Sequence, residues 1–305
     1  MSYIIEHATL LKSNGTTKTS LLIKENKIEF MKSSLNNYRF IRMDMSSYLL
    51  TPGYVMLDFS LQSLLHFQEF KQHMIEKYVK KGCTTLLTVT SLEKEQDLLP
   101  KLKQRRQLMI NSPIDYYIGV KIPFKLLKPS LLRKLRQHNI SVVFVELSED
   151  DCLDGKSWGW IRDAMFSNPI TLIPSIEEGL YKSNVNQKIL KNWVKHMKEN
   201  RISSLTYQLT EGETLTRDEL MTIGIYPEKG DIRIGGQVNY NLYNLDDIKY
   251  HTDGQPIMNS SILPMFTIHQ GKLININGEI TFNPGIGEEC FIPISGRFIS
   301  HQISL

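Results

Sequence analysis

Apolar residues fall in short strand-like runs over the first fifty positions, in alternating strand-like and helix-like runs through the middle, and in short runs again at the end. Residues 3–11, 20–23, 28–31, 39–43 and 48–50 read as strands, separated by turn signals such as Ser13-Asn14-Gly15 and Glu25-Asn26-Lys27. They predict a small antiparallel sheet. At Thr51-Pro52-Gly53 the character changes. Strands at 54–58, 84–89, 116–122, 140–145 and 170–173 alternate with helical periodicity at 64–81, 93–109, 129–137, 158–166 and 186–200, and 203–208 reads as a sixth strand. Gly82 is placed as a helix C-cap. Strands that are apolar throughout, each followed by a helix, predict a parallel sheet covered by helices, either a (β/α) barrel or a doubly wound sheet. After about Thr222 the pattern is all-β, with runs at 231–234, 240–243, 265–269, 272–276, 279–282 and 291–294. The expected organisation is α/β: residues 51–222 form the βα domain, and residues 1–50 and 223–305 close into one composite β-sandwich.

Composition narrows the function classes. With 305 residues and 41% hydrophobic content the chain can bury a large core, and the absence of low-complexity stretches excludes long disorder. The net charge of +4 is small for this length. Basic clusters at Lys101, Lys103, Arg105, Arg106 and at Lys125, Lys128, Arg133, Lys134, Arg136 fall on helical segments without interleaved aromatics, so they read as solvated helix faces and no nucleic-acid partner is expected. Cys83, Cys152 and Cys290 lie far apart with no C-x-x-C spacing, which supports neither a disulfide framework nor a zinc knuckle. The N-terminus is too short and polar for a signal peptide and no apolar run reaches membrane-spanning length, so a cytoplasmic protein with no membrane partner is expected. The eight histidines, His7, His66, His73, His138, His196, His251, His269 and His301, read as surface or helix-capping residues. There is no Gly-x-Ser-x-Gly elbow and no phosphate-binding loop; Gly230 and Gly235-Gly236 read as turn glycines.

Six segments in order resemble the cyclic amidohydrolases, the group of hydantoinases, dihydropyrimidinases, dihydroorotases and allantoinases. LLIKENKIEFMKSSL is similar to their opening β layer, and YLLTPGYVMLDFS to the entry into their first barrel strand. KKGCTTLLTVTS resembles the Gly-x-Thr-Thr start of the second strand. DYYIGVKIPFKLLKPSLLRKLRQHNISVVFVELSEDD resembles the third strand, helix and fourth strand, and NPITLIPSIEEG the fifth strand. TIGIYPEKGDIRIGGQVNYNLYNLDD and HQGKLININGEITFNPGIGEE are similar to the closing β segments, where a Tyr-Pro-x-Lys-Gly turn precedes a strand pair.

The resemblance implies a barrel whose mouth holds two metal ions that activate a bridging hydroxide against a cyclic amide carbonyl. Its ligands would be a His-x-His pair on the first strand, a carboxylated lysine on the fourth, histidines on the fifth and sixth and an aspartate on the eighth. Here the first pair reads Asp58-Phe59-Ser60, the fourth-strand position falls at or beside Phe144, and the fifth matches Ser175. About forty-five residues separate Gly179 from the Tyr226-Pro227 turn, too few for the remaining units at roughly thirty residues each. A shortened amidohydrolase-type barrel without a metal site is expected.

The relict pocket implied by this alignment comprises Asp58, Ser60, Lys121, Phe144, Ser175 and Glu177, either a weak ligand pocket or polar side chains bonded to one another. Lys121 is the one lysine able to mimic the modified residue; strand alternation otherwise aims it at the lumen as a countercharge to Asp58. The leading functional expectation is an inactive amidohydrolase homologue with a binding, scaffold or assembly role, without cofactor, as a homo-oligomer or in complex with an amidohydrolase-like or pathway enzyme. An incomplete barrel would leave sheet edge for a partner to cover. The alternatives are a divergent hydrolase of a cyclic-amide C–N bond, with zinc and with Asp58, Lys121 and Glu177 as candidate catalytic groups, and a small-molecule sensor using the relict pocket.

Overall fold

The structure, a computed structural model, describes residues 2–12, 15–61, 66–166, 170–177, 183–251, 256–258 and 262–293. The expected turn at 13–14, the start of the first helix at 64–65, Gly179 and His301 lie outside the described residues.

Five parallel strands form the central sheet: β6 (Tyr54–Asp58), β7 (Cys83–Ser91), β8 (Asp115–Pro123), β9 (Val142–Glu146) and β10 (Thr171–Ser175), in the order β10-β9-β8-β7-β6. The helices between them cover one face: α1 (Phe67–Lys77), α2 (Leu98–Met109), α3 (Pro129–Gln137), α4 (Trp158–Phe166) and, after β10, α5 (Ser183–Glu199). Each helix packs an apolar stripe inward, such as Leu131, Leu132 and Leu135 on α3, which starts on Pro129 at its first turn. Gly82 ends the helical turn after α1 at φ 84°, and a Cβ there would lie within 2.6 Å of the Asn241 side chain. Only glycine fits that approach.

The two ends of the chain share one nine-stranded sheet. From the N-terminus come β1 (Ser2–Lys12), β2 (Gly15–Lys24), β3 (Lys27–Lys32), β4 (Ile41–Asp44) and β5 (Tyr48–Pro52). From the C-terminus come β11 (Tyr240–Asn244), β12 (Phe266–His269), β13 (Lys272–Ile276) and β14 (Glu279–Ile280). The antiparallel pairing of β5 with β11 joins the two sets. A bulge after Ile5, with His7 at φ 57°, divides β1, so that its first half pairs with β4 and its second with β5. The fold is therefore a shortened (β/α) barrel with a β-sandwich layer, as the pattern and the resemblance led us to expect.

Five local expectations fail. The N-terminal sheet is mixed and not antiparallel throughout, since β1 runs parallel to β4 and β5. Of residues 291–294 the described ones, 291–293, form no strand, because the chain pairs only through the single bridge of Glu289 to Tyr116 just before them. Residues 203–208 make only an isolated bridge, Ser204 to Leu172, because the chain turns inward after one pairing. Residues 231–234 form no strand; Arg233 instead bonds back to the Pro227 carbonyl and the Glu228 carboxylate. A helix not expected from the apolar runs, α6 (Arg217–Ile223), is capped reciprocally by Thr216 and Glu219 and ends on Gly224.

The sandwich is fastened to the start of β8 by a buried polar cluster. The Lys229 ammonium contacts the Asp115 carboxylate, which also accepts from Gln270 Nε2 at 2.9 Å and from the Glu288 backbone N–H at 3.1 Å. His269 is fully buried beside this pair, its Nε2 3.5 Å from Asp115 Oδ1, and neither ring nitrogen makes a hydrogen bond. Burial pushes the His269 pKa down to about 4, with Asp115 opposing the shift and Lys229 and Lys272 adding to it. Because the folded value lies below the ordinary 6.5, the unfolded chain binds a proton that the folded chain refuses. Stability should therefore fall by on the order of 3 kcal/mol as the pH drops from the ordinary histidine range to about 4. In urea melts across that window, His269→Asn should lose this slope; a slope equal to the parent's would refute it.

Candidate functional site

In a parallel barrel, chemistry sits at the C-terminal ends of the strands. Here that end carries Asp58 on β6, Ser91 on β7, Lys121 on β8, Glu146 on β9 and Ser175 on β10. Strand alternation sorts these residues between the inner face and the helix-covered face. Val55 and Leu57 of β6 belong to the inner apolar cluster with Phe59 packed against it, whereas Met56 packs with the helices. Asp58 therefore points outward, under α1, and not into the lumen. The pair two residues apart that faces inward at this strand end is Leu57 and Phe59, not Asp58 and Ser60.

Asp58 is fully buried and its carboxylate is saturated. Tyr78 donates to Oδ1 at 2.6 Å, His73 Nε2 lies 3.2 Å from the same oxygen, and Ser60 Oγ donates at 3.3 Å. Oδ2 accepts from the Leu61 backbone N–H at 3.1 Å and from Thr88 at 3.4 Å. Burial works to raise the Asp58 pKa, but the bonds from His73 and Tyr78 and the charges of His73 and Arg105 outweigh it and hold the group below the ordinary carboxylate range. Burial beside this carboxylate pushes the Tyr78 phenol far up, so it stays protonated as a donor. Arg105 lies nearby: it is 7% exposed and donates to the Leu61 carbonyl, just past the end of β6, at 2.6 Å and to the Val89 carbonyl in β7 at 3.0 Å.

The other expected pocket residues go elsewhere. Lys121 does face inward, on the same side as Tyr117, but its partner is Glu146 on the neighbouring strand at 2.9 Å, not Asp58. Phe144 fills the lumen, its ring edge-on to Phe59 at 5.0 Å. Ser175 is buried at the end of β10 and Glu177 is exposed beyond it. Because β6 and β10 are the two ends of the five-strand order, Asp58 and Ser175 stand four strand spacings apart, roughly 19 Å measured along the sheet. Asp58 lies on the helix-covered side with Met56, whereas Ser175 is in phase with the inward-facing Ile173, so the two are not brought together.

The sequence reading missed His73, Tyr78, Thr88, Arg105, Lys77, which donates to Ser60 Oγ at 2.9 Å, and Glu211, which accepts from the Ser60 backbone N–H at 3.1 Å. It is also corrected for three histidines. His73 is the partner of Asp58, and His196 and His269 are buried, so they are neither surface nor capping groups. Likewise Arg105 and Arg106 do not lie on a solvated face: the first is buried and the second makes a bidentate pair with Glu289 at 2.8–3.0 Å. One signal was available. On α2 the buried positions are Leu98, Leu102, Arg105 and Met109, and that spacing places Arg105 in the core stripe.

Two metal ions of the kind implied by the resemblance do not fit these residues. Among the described residues, no group of three His, Cys, Asp or Glu side chains converges closely enough to hold a metal ion. At the end of the first strand the inner positions are leucine and phenylalanine, which offer no lone pair.

The comparisons agree with the fold. No family model matches the sequence, and no curated protein matches it. Solved structures do. A D-hydantoinase matches with TM-score 0.69 at 12% identity, covering 95% of this chain and 98% of that one. The dihydropyrimidinase of Brevibacillus agri NCHU1002 matches with TM-score 0.71 at 9% identity, covering 97% and 99%. The D-hydantoinase (dihydropyrimidinase) of Thermus sp. matches with TM-score 0.70 at 10% identity, covering 97% and 100%.

If Asp58 is a structural anchor, its removal leaves the buried Tyr78 hydroxyl without its acceptor and Arg105 without a nearby countercharge. Asp58→Ala should then cost about 3–5 kcal/mol in urea unfolding, and His73→Gln, which leaves the other donors in place, only about 1 kcal/mol. The depressed carboxyl contributes stability above the ordinary carboxylate range that disappears as the pH falls through its folded value. Equal, small costs for both variants would show that Asp58 is not the anchor. Strand order, helical cover and end-to-end structural match together establish that this chain has the fold of the hydantoinases and dihydropyrimidinases, in shortened form.

Proposed function

We propose that the chain is a non-catalytic member of the amidohydrolase fold that works by binding or assembly, as a homo-oligomer or with an amidohydrolase-like or pathway enzyme. The observation that carries this reading is the state of the strand ends. Leu57, Phe59 and Phe144 fill the place where a hydrolase of this fold would hold metal and substrate, and Asp58 is turned away and fully bonded. A cation needs converging lone pairs to ionise water near neutral pH, and apolar side chains supply none. The relatives named as hydantoinase or dihydropyrimidinase share under 15% of residues with this chain, so their chemistry does not carry over with the fold.

The support for assembly is not an open sheet edge, since both edges of the parallel sheet are covered by residues 203–215. It comes from exposed apolar side chains, Trp160 and Phe166 on α4 at 67% and 80% exposure. No helix among the described residues is long and apolar enough to cross a membrane.

A second reading, a divergent C–N hydrolase, draws on the contact between Asp58 and His73 at 3.2 Å. Elemental analysis of protein purified without added metal, together with ring-opening assays on hydantoin and dihydrouracil, separates the two. The expected result is sub-stoichiometric zinc and no turnover. Stoichiometric zinc lost in Asp58→Ala, with ring opening lost alongside it, would establish the hydrolase. Sedimentation at micromolar concentration tests assembly: a self-associated species, or a partner retained from native extract, is expected, and a monomer with no partner would end that reading.

A further inference from the structure

Between the strand ends and α2 lies a cavity of about 260 Å³. Its walls come from three elements: Phe59 and Leu61 just past β6, the end of β7, and one side of α2. Lys101 and Arg105 stand four residues apart on that helix, with Gln104 beside them, so all three line the cavity together. On β7, Leu86 packs with the helices while Leu87 and Val89 face the lumen. Thr90 therefore points towards α2 and into the cavity, away from the lumen.

Both charged residues that line the cavity are cations, Lys101 and Arg105. The bonds from Arg105 to the Leu61 and Val89 carbonyls fix its guanidinium and use two of its five N–H donors. Among the described residues no carboxylate bonds to it, and Asp58 acts on it only through charge at a distance. Burial pushes the Arg105 pKa down from its ordinary value, with Asp58 opposing, so the guanidinium is short of negative charge. Thr90 is 5% exposed, and its hydroxyl makes no hydrogen bond among the described residues. At the rim Ser91 and Lys101 are exposed, and the Lys101 ammonium has no ion-pair partner among the described residues. The site thus offers donors from a helix and a strand end, and no acid to answer them.

We infer that this cavity binds a phosphate-sized tetrahedral oxyanion, as inorganic phosphate or as the phosphate group of a small phosphomonoester. At about 260 Å³ it lies just below the range of drug-sized ligand sites, which suits a compact ligand. Arg105 is already held in place before an anion arrives, so little ordering is left to do on that side. Lys101 closes from the rim, and the Thr90 and Ser91 hydroxyls donate from the strand end. These donors come from different directions, so an anion with several oxygens can use them together where the two oxygens of a carboxylate cannot. The site lies on the α2 side of the strand ends and needs neither a metal nor a lumen ligand, so it stands whether or not the chain proves non-catalytic.

The test is isothermal titration of the full chain, near neutral pH and at constant ionic strength in chloride, with inorganic phosphate, glycerol 3-phosphate and acetate. At least one of the two phosphates should bind with Kd at or below about 1 mM, the tighter of them identifying the source, and acetate at least tenfold more weakly. Lys101→Gln, at an exposed position, should weaken phosphate binding by about tenfold, and the nearly isosteric Thr90→Val should weaken it by about fivefold. Lys103→Gln, on the same helix but outside the cavity, should change nothing. Thermal melts of each variant check that the fold persists; should Thr90→Val not fold, Lys101→Gln against Lys103→Gln decides alone. No saturable binding of either phosphate up to about 10 mM, acetate binding as tight as phosphate, or equal losses in Lys101→Gln and Lys103→Gln would overturn the inference.

Discussion

A parallel sheet tolerates water on neither face, and this one has only five strands with which to curl. Everything distinctive in the molecule follows from how the inner face and the two free edges are covered. Residues 203–205 pair once with β10, the chain crosses the concave side, and residues 212–215 run back along β6. Leu205, Leu209, Leu215, Leu220, Ile223 and Ile225 enter the lumen on the way and meet Val89, Val142 and Phe144. A single segment of about twenty residues thus substitutes for the βα units that would otherwise close the ring.

That substitution decides what lines the lumen as well as the stability. Among the described residues the lumen is packed with aliphatic and aromatic side chains, Leu57, Phe59 and Phe144 among them, which offer a cation no lone pair. Polar residues at the strand ends are then stable only where they find partners off the lumen. Asp58 finds them under α1, in Tyr78, His73 and Thr88, with Arg105 nearby and bonded to the Leu61 and Val89 carbonyls. Lys121 and Glu146, which do face inward, neutralise each other across adjacent strands at the rim. Each of these strand-end charges is satisfied locally, and none is left converging on a shared point.

Much of the fold was legible in the sequence because its strands and helices carry strong local signals. β6, α3 and α4 begin and end where the apolar runs and the proline at residue 129 place them. The orientation of Asp58 was not legible, for a physical reason. On a strand buried on both faces, the alternation Val55, Met56, Leu57 shows no contrast between inside and outside, so the register of Asp58 against the lumen had no marker. His73 lay hidden because its partner comes from another element, and helical spacing reports only neighbours on the same helix. Arg105 and His196, by contrast, sit at core-stripe positions of α2 and α5, where a polar side chain stands out against the apolar pattern and marks a buried polar group. α6 escaped notice at seven residues, although Thr216 and Glu219 spell its capping box.

The two ends of the barrel are built differently. At the mouth, the packing of Phe59 against Phe144 and the fully bonded Asp58 carboxylate stand beside a cavity of about 260 Å³ lined by Phe59, Thr90, Ser91, Lys101 and Arg105. At the base, the antiparallel seam cannot pack as closely against the sandwich as a helix-backed strand would, because it turns into α6 after four residues and the next turn must clear Leu220. The gap left there is lined by groups drawn from β1, β6, α6 and the Tyr226 turn, elements that the Lys229–Asp115 contact and the β5–β11 pairing hold in fixed relation.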